Sequence, residues 1–176
     1  MSRPDLPPTP VQIQHARRLM AHAQIRDVRL LQARVRYGPP AKPAAKTASG
    51  FEIDIATNTQ GKLTHDGKLK IVVSSSLKAR RARSRKAEVE VEASFQLLYA
   101  LPEELKPTQR EIRAFADSNA MLNSWPYWRE FVQNTVSRMN LPPLVLPLFR
   151  LSPPGAAKPS TPEASPKARM AASASK

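Results

Sequence analysis

Residues 87–101, AEVEVEASFQLLYAL, constrain the fold more than any other stretch of this chain. Val89, Val91, Ala93, Phe95, Leu97 and Tyr99 alternate with Glu88, Glu90, Glu92, Ser94, Gln96 and Leu98. Successive strand side chains point to opposite faces, so this pattern demands a sheet with one apolar and one polar face. Such a sheet buries its apolar face only beneath a second layer. The rest of the chain must therefore supply partner strands and a cover.

Three further stretches have strand character. Residues 24–37 read as a long first strand: Val28 and Leu30 alternate with charges, then Leu31, Ala33, Val35 and Tyr37 alternate in the opposite phase. A flip at Leu30-Leu31 means a bulge, a sharp twist or a change of sheet partner, unless the pair is buried on both faces. In residues 51–57, Phe51, Ile53 and Ile55 oppose Glu52, Asp54 and Ala56, and residues 57–64 either extend this strand or loop out. His65-Asp66-Gly67 is a turn signal, since glycine accepts positive φ and aspartate caps a turn locally. Residues 68–78 then place Leu69, Ile71, Val73 and Leu77 on one face and Lys70, Val72, Ser74, Ser76 and Lys78 on the other. A hairpin between this strand and 87–101 sets lysines against glutamates. Tandem strands with turn-like connections form an antiparallel sheet.

Helical signals flank the strands. Thr9-Pro10 reads as an N-cap followed by proline at the first helical position. A helix over 11–23 gathers Ile13, Ala16, Met20 and Ala23 on one narrow side, with His15, Arg17, Arg18 and His22 at its borders. So thin a stripe fits a helix docked at an edge or between subunits. After Pro102, Thr108-x-x-Glu111 matches a capping box. The helix it starts carries Ile112, Phe115, Ala116 and Asn119, and Asn123-Ser124 is expected to break it. Ser124 or Asn123 then caps a last helix with Pro126 in its first turn. Trp128, Phe131, Val132, Thr135, Val136 and Met139 share one face of that helix, and Pro142-Pro143 stop it ahead of an oily arm, Leu144-Val145-Leu146. Strands first and helices last give an α+β fold: a four-stranded antiparallel sheet followed by two C-terminal helices, with a short N-terminal helix.

At 176 residues the chain is long enough for one modest core. Residues 1–8 and 152–176 are proline-rich or nearly devoid of large apolar side chains, and are expected to be disordered. Residues 38–50, GPPAKPAAKTASG, are a linker-like loop too long for a hairpin, and loops of this length often carry function. The domain between the ends is 9–151. No apolar run approaches the roughly 20 residues that span a bilayer, and the first residues lack a secretory apolar region. A cytoplasmic protein is expected.

Twenty-eight lysines and arginines against 14 acids give a net charge of +14, which favours acidic or polyanionic partners and salt-sensitive association. Chemistry is harder to find. There is no cysteine, hence no disulfide, thiolate or cysteine-based zinc site. His15 and His22 are seven residues apart on one helix, about 10 Å, too far to share a metal. Glu88, Glu90 and Glu92 lie opposite lysines as a solvated ladder. No phosphate-binding or nucleophile motif is present. No catalytic residue, metal or cofactor is expected. Residues 80–86, RRARSRK, place Arg80, Arg81, Arg83 and Arg85 in a basic loop able to neutralise phosphates, but no aromatic side chains interleave with it to stack bases. A basic nucleic-acid-binding module stands as one alternative.

One resemblance is more specific. Trp125-Pro126-Tyr127-Trp128-Arg129-Glu130, then Ser137-Arg138, then Leu141-Pro142-Pro143-Leu144-Val145-Leu146-Pro147 resembles the C-terminal signature of SecB-type chaperones. Residues 17–36, RRLMAHAQIRDVRLLQARVR, are similar to the first strand region of the SecB-like chaperones that accompany toxin–antitoxin pairs. The resemblance spans about residues 11–149. It implies a homo-oligomer, a dimer of dimers, that binds unfolded polypeptide in apolar grooves without ATP. Each groove is bounded by sheet, crossover loop and the helix from Trp125 to Arg138, with the loop at 38–50. The residues it implies for the groove are Tyr37, Phe51, Trp125, Tyr127, Trp128, Phe131, Val132, Leu144 and Leu146. The implied client is the C-terminal segment of an antitoxin. General preprotein delivery to the export motor is the related alternative, which the net charge of +14 disfavours, because SecB is acidic and docks to a basic segment of that motor.

Overall fold

The structure, a computed structural model, describes residues 10–38, 51–81, 86–139, 141, 144 and 146, and their side chains apart from those of residues 10–13, 51 and 81. The expectations for residues 1–8, 39–50 and 152–176 lie outside the described residues. The elements are α1 (Pro10–His22), β1 (Gln24–Tyr37), β2 (Phe51–Leu63), β3 (Leu69–Arg81), β4 (Val89–Ala100), α2 (Gln109–Phe115), a π-helical turn (Ala116–Ala120) and α3 (Met121–Arg138).

The four strands form one antiparallel sheet in the order β1-β4-β3-β2. β4 lies inside it and buries Val89, Val91, Ala93, Phe95, Leu97 and Tyr99, the alternating set of the sequence. β3 adds Leu69, Ile71, Val73, Leu77 and Ala79 to the same face. The other face is polar and ordered by charge. Arg36, Glu90, Lys78 and Asp54 stand side by side across all four strands with alternating sign. Arg36 Nη1 lies 3.7 Å from Glu90 Oε2. Of the lysine–glutamate pairs expected, register sets Lys78 opposite Glu90, whereas Lys70 faces Leu98 and Glu92 faces Ser76.

β1 shows the expected irregularity. Its register against β4 shifts between Leu30 and Gln32, and again between Ile25 and Asp27. Leu31 and Arg26 are the extra residues, and the bulge at Leu31 causes the change of phase. β2 continues to Leu63 instead of looping out. The turn to β3 contains Gly67 at φ 74. Lys68 and Thr64 hold the Asp66 carboxyl down at about 2.

β1 and β2 are the two edges of the sheet, yet they are consecutive in sequence. Tyr37 ends β1 beside Val89, and Phe51 begins β2 beside Arg81, so both lie at the same end of the sheet. The connection between them has to cross three strand spacings, about 14 Å. The topology therefore requires a crossover here.

The helices form the second layer, on the apolar face. Thr108 caps α2 through a full capping box with Glu111. α2 seats on β2 at Gly61, where an added Cβ would lie 2.6 Å from Ile112 Cγ2. α1 leans on α2: Arg18 Nη1 is 3.5 Å from Glu111 Oε1, and Arg18 Nη2 donates to the Lys106 carbonyl at 3.4 Å. Among its described side chains Ala16 and Leu19 are buried, while Met20 is 41% exposed, so Leu19 takes the inward place expected of Met20.

The break expected at Asn123-Ser124 does not occur. The helical backbone runs from α2 through the π turn into α3, and no side chain caps α3. Ser124 is buried and its hydroxyl donates to the Met121 carbonyl at 2.9 Å, inside the helix. Pro126 is exposed, so the bond it cannot make falls on the solvent side. Burial of Met121, Ser124 and Trp125 outweighs a sound local cap signal. Among the described residues, no helix is long and apolar enough to cross a membrane.

Candidate functional site

α3 positions the site. Its first turns lie near the Tyr99 end of β4, where Asn123 Nδ2 donates to the Tyr99 hydroxyl at 3.1 Å. Burial pushes that phenol up to about 12. One turn further on, the Phe95 ring centroid is 6.4 Å from Tyr127 and 6.4 Å from Phe131. α3 thus runs back along the sheet, antiparallel to β4. Trp125, Trp128, Val132 and Val136 point down and are buried. At about 100° per residue, Tyr127 and Arg129 fall on opposite flanks of this stripe.

Among the described residues, no element covers the Tyr127 flank. Leu30 is the β1 partner of Phe95, so β1 continues the floor beyond the aromatic contact. Ile25, Leu30, Leu31, Val35 and Tyr37 are 40–52% exposed, and Tyr127 is 43% exposed. Ile25 to Tyr37 extends over roughly 35–40 Å of strand. A soluble chain rarely leaves so long an apolar row uncovered without a partner for it. The outer edge of β1 pairs with no strand among the described residues.

The Arg129 flank is occupied. Leu146 lies against it, 3% exposed, and Leu141 and Leu144 pack against the core. Arg129 Nε donates to the Leu146 carbonyl at 3.1 Å.

The groove residues drawn from the resemblance therefore fall into different places. Tyr37, at the Val89 end of β1, and Tyr127 are exposed, and Phe131 is half-buried and shares the Phe95 ring with Tyr127. Trp125, Trp128, Val132 and Leu146 belong to the core, with Leu144 packed against it. The Phe51 side chain lies outside the described residues. Trp128 stacks on Phe131 at 6.4 Å, and its buried indole N–H has no acceptor among the described residues. Ile25, Leu30, Leu31 and Val35 were not anticipated. Their alternation was visible, but only the sheet order makes β1 an edge with an uncovered row.

The basic loop is less available than its composition implies. Arg80 is tied to Glu52 Oε2 at 2.9 Å and to Asp54 Oδ2 at 2.8 Å. The hydrogen bond to Glu52, then the charge of Asp54, raises its pKa further above the ordinary range. Arg83, Arg85 and the Arg81 side chain lie outside the described residues. Among the described residues, no cluster of histidines or carboxylates is able to hold a metal. Glu90 is matched by Arg36 and does not face a second carboxylate across the sheet.

No protein-family model matches the chain. The SecB-like chaperone Rv1957 of Mycobacterium tuberculosis strain H37Rv is 32% identical over 166 residues, covering 82% of this chain and 88% of the relative. The SecB-like chaperone MT2006 of strain CDC 1551 is 31% identical with the same coverage. The solved structure of Rv1957 in complex with a ChAD peptide from the Rv1956 HigA1 antitoxin superposes with a TM-score of 0.67 at 26% identity, covering 79% of this chain and 99% of that one. The similarity covers most of both chains, and the chain belongs to the SecB-like chaperones.

Proposed function

We propose that this chain is an ATP-independent holdase that takes up the extended C-terminal segment of an antitoxin and shields it from aggregation and proteolysis. The exposed β1 row and Tyr127, which flank buried Phe95 and half-buried Phe131, carry the reading. The antitoxin peptide bound to the mycobacterial relative supports the choice of client.

The energetics suit reversible holding. Burying one large apolar side chain gains about 1.5–3 kcal/mol. Ordering each client residue costs about 1–2 kcal/mol. The surplus per residue is small, so the client must be several residues long, and it leaves when its own folding competes. Release of this kind needs no nucleotide. The reading assigns no reaction and no cofactor, and places the protein in the cytoplasm.

A second copy of the chain is the natural occupant of the β1 edge, the first step to a dimer of dimers. A free edge strand of 14 residues is otherwise a template for uncontrolled pairing.

The test is suppression of client aggregation without nucleotide, with affinity measured for a synthetic antitoxin C-terminal peptide. Tyr127→Asp lowers that affinity at least about tenfold, equivalent to about 1.4 kcal/mol. Gln60→Glu, on the exposed polar face, leaves it unchanged. Full binding by a folded Tyr127→Asp chain rejects the surface. Equal affinity for unrelated unfolded chains points instead to general preprotein capture.

A further inference from the structure

The face of the sheet turned away from the helices carries a charge order that the apolar surface does not use. The row Arg36, Glu90, Lys78, Asp54 crosses β1, β4, β3 and β2 with strictly alternating sign. An alternating row of even length becomes its own complement when it is reversed. A second copy lying face to face, related by a two-fold axis parallel to the strands and midway between β3 and β4, reverses it in this way. Arg36 then meets Asp54 of the second copy and Glu90 meets Lys78 of the second copy, each contact made twice. Asp54 already pairs with Arg80 at 2.8 Å, and a carboxylate has a second oxygen for another cation. The other rows agree. Asp27, at the far end of the face, meets Lys62 of the second copy, and the Ser74–Ser94 hydroxyl pair, 2.8 Å apart, meets the same pair. A two-fold axis across the strands does worse. It stacks each strand on itself, and β3 presents Lys70, Lys78 and Arg80 on this face with no acid among them.

We infer that the polar sheet face is an interface between two copies of this chain, related by that two-fold axis. A net charge of +14 makes copies repel each other. Asp27, Glu52, Asp54, Glu90 and Glu92 place five of the chain's 14 acids on this face, so two copies meet least repulsion here. The area suffices. Four strands about 4.8 Å apart and about 40 Å long make a face of roughly 750 Å², close to the about 800 Å² per partner of a standard interface. Ser74, Ser76 and Ser94 keep its centre low, which lets the sheets approach to about 10 Å. The charged pairs are exposed, so they set orientation and make association salt-sensitive more than they add affinity. The interface is distinct from pairing at the β1 edge, and it leaves the flank of α3 free on the outside of the pair. It does not rest on the holdase reading.

The experiment uses the full chain, whose lack of cysteine lets one nitroxide at Asn58→Cys report alone. The two-fold axis sets β2 of one copy over β1 of the other, three strand spacings aside and about 10 Å above, so the two labelled backbones stand roughly 18 Å apart. Pairing at the β1 edge holds them beyond roughly 30 Å. Pulsed electron paramagnetic resonance at low salt is expected to show the short distance, growing with protein concentration and fading as salt is added. Its absence at high protein concentration and low salt overturns the inference. Complementary charge variants then test the register by sedimentation. Glu90→Lys alone and Lys78→Glu alone each weaken self-association at least about tenfold. An equimolar mixture of the two recovers the wild-type affinity, because each reversed charge meets the other across the interface. Effects inside one chain are not repaired by mixing. Single variants that associate like wild type, or a mixture no tighter than its components, overturn the inference.

Discussion

Gly61→Ala is expected to destabilise the fold through one identifiable contact. The new methyl would sit 2.6 Å from Ile112 Cγ2, 3.4 Å from Ile71 Cγ1 and 3.9 Å from Ala116 Cβ. Ile112 is 1% exposed and Ile71 is 0% exposed, so neither has open space to move into. Overpacking of this kind costs about 1–3 kcal/mol. Replacing a strand glycine by alanine recovers about 0.5–1 kcal/mol of backbone entropy. The midpoints of the two ranges leave a loss of about 1 kcal/mol, with about 2.5 kcal/mol as the upper bound, a fall in Tm of roughly 2–10 °C at 2–4 °C per kcal/mol. The offending atom is the β-branch methyl of Ile112, so Ile112→Leu, which keeps volume and removes that branch, restores part of the loss. Urea unfolding of the two single variants and the double variant, followed by tryptophan fluorescence, measures the coupling. A Gly61→Ala chain as stable as wild type, or additive variants, refutes the direct seating of α2 on the β2 backbone.

Two further outcomes follow from the same packing. The Thr108 backbone N–H, supported by the Thr108 hydroxyl and Arg18, holds the Glu111 carboxyl below its usual range. A depressed carboxylate stabilises the fold above its unfolded value, about 4.3, and loses that contribution as pH falls through the lower folded value. The stability deficit of Glu111→Gln is therefore full at neutral pH and shrinks once pH falls below the unfolded value of about 4.3, while Thr108→Ala costs about 1 kcal/mol at neutral pH. Thermal melts across pH 3–7 check both. Trp128→Ala, at a site 1% exposed, costs about 3–5 kcal/mol, whereas Tyr127→Ser, 43% exposed, costs less than about 1 kcal/mol. Chemical denaturation separates them, and equal losses contradict the assignment of one residue to the core and the other to the open surface.

The sheet was legible wherever a local pattern decides the matter. Val89, Val91, Ala93, Phe95, Leu97 and Tyr99 recur at every second position and are all buried. The reversed phase at Leu30-Leu31 marked the bulge because an inserted residue has to shift the alternation. The capping box at Thr108 is similarly local. What escaped the sequence depends on what lies above or beside a residue. Ser124 and Pro126 carry strong helix-start chemistry, yet a buried serine bonding back to Met121 lets the helix pass through. Met20 and Leu19 are neighbours in sequence, and only the docking of α1 on α2 turns Leu19 inward. Tyr127 and Trp128 are neighbours too, with one on the open flank and the other in the core. The exposed row of β1 needed the order β1-β4-β3-β2, which no local pattern encodes.

The central claim, that an extended client lies on the apolar flank between β1 and α3, is tested most directly by a photo-crosslinking side chain at single positions. Placed at Tyr127, on the open flank, it captures a bound antitoxin C-terminal peptide. Placed at Gln60, on the polar face, it captures none. Capture from Gln60, or an inert Tyr127 position in a chain that still binds the peptide, contradicts the claim.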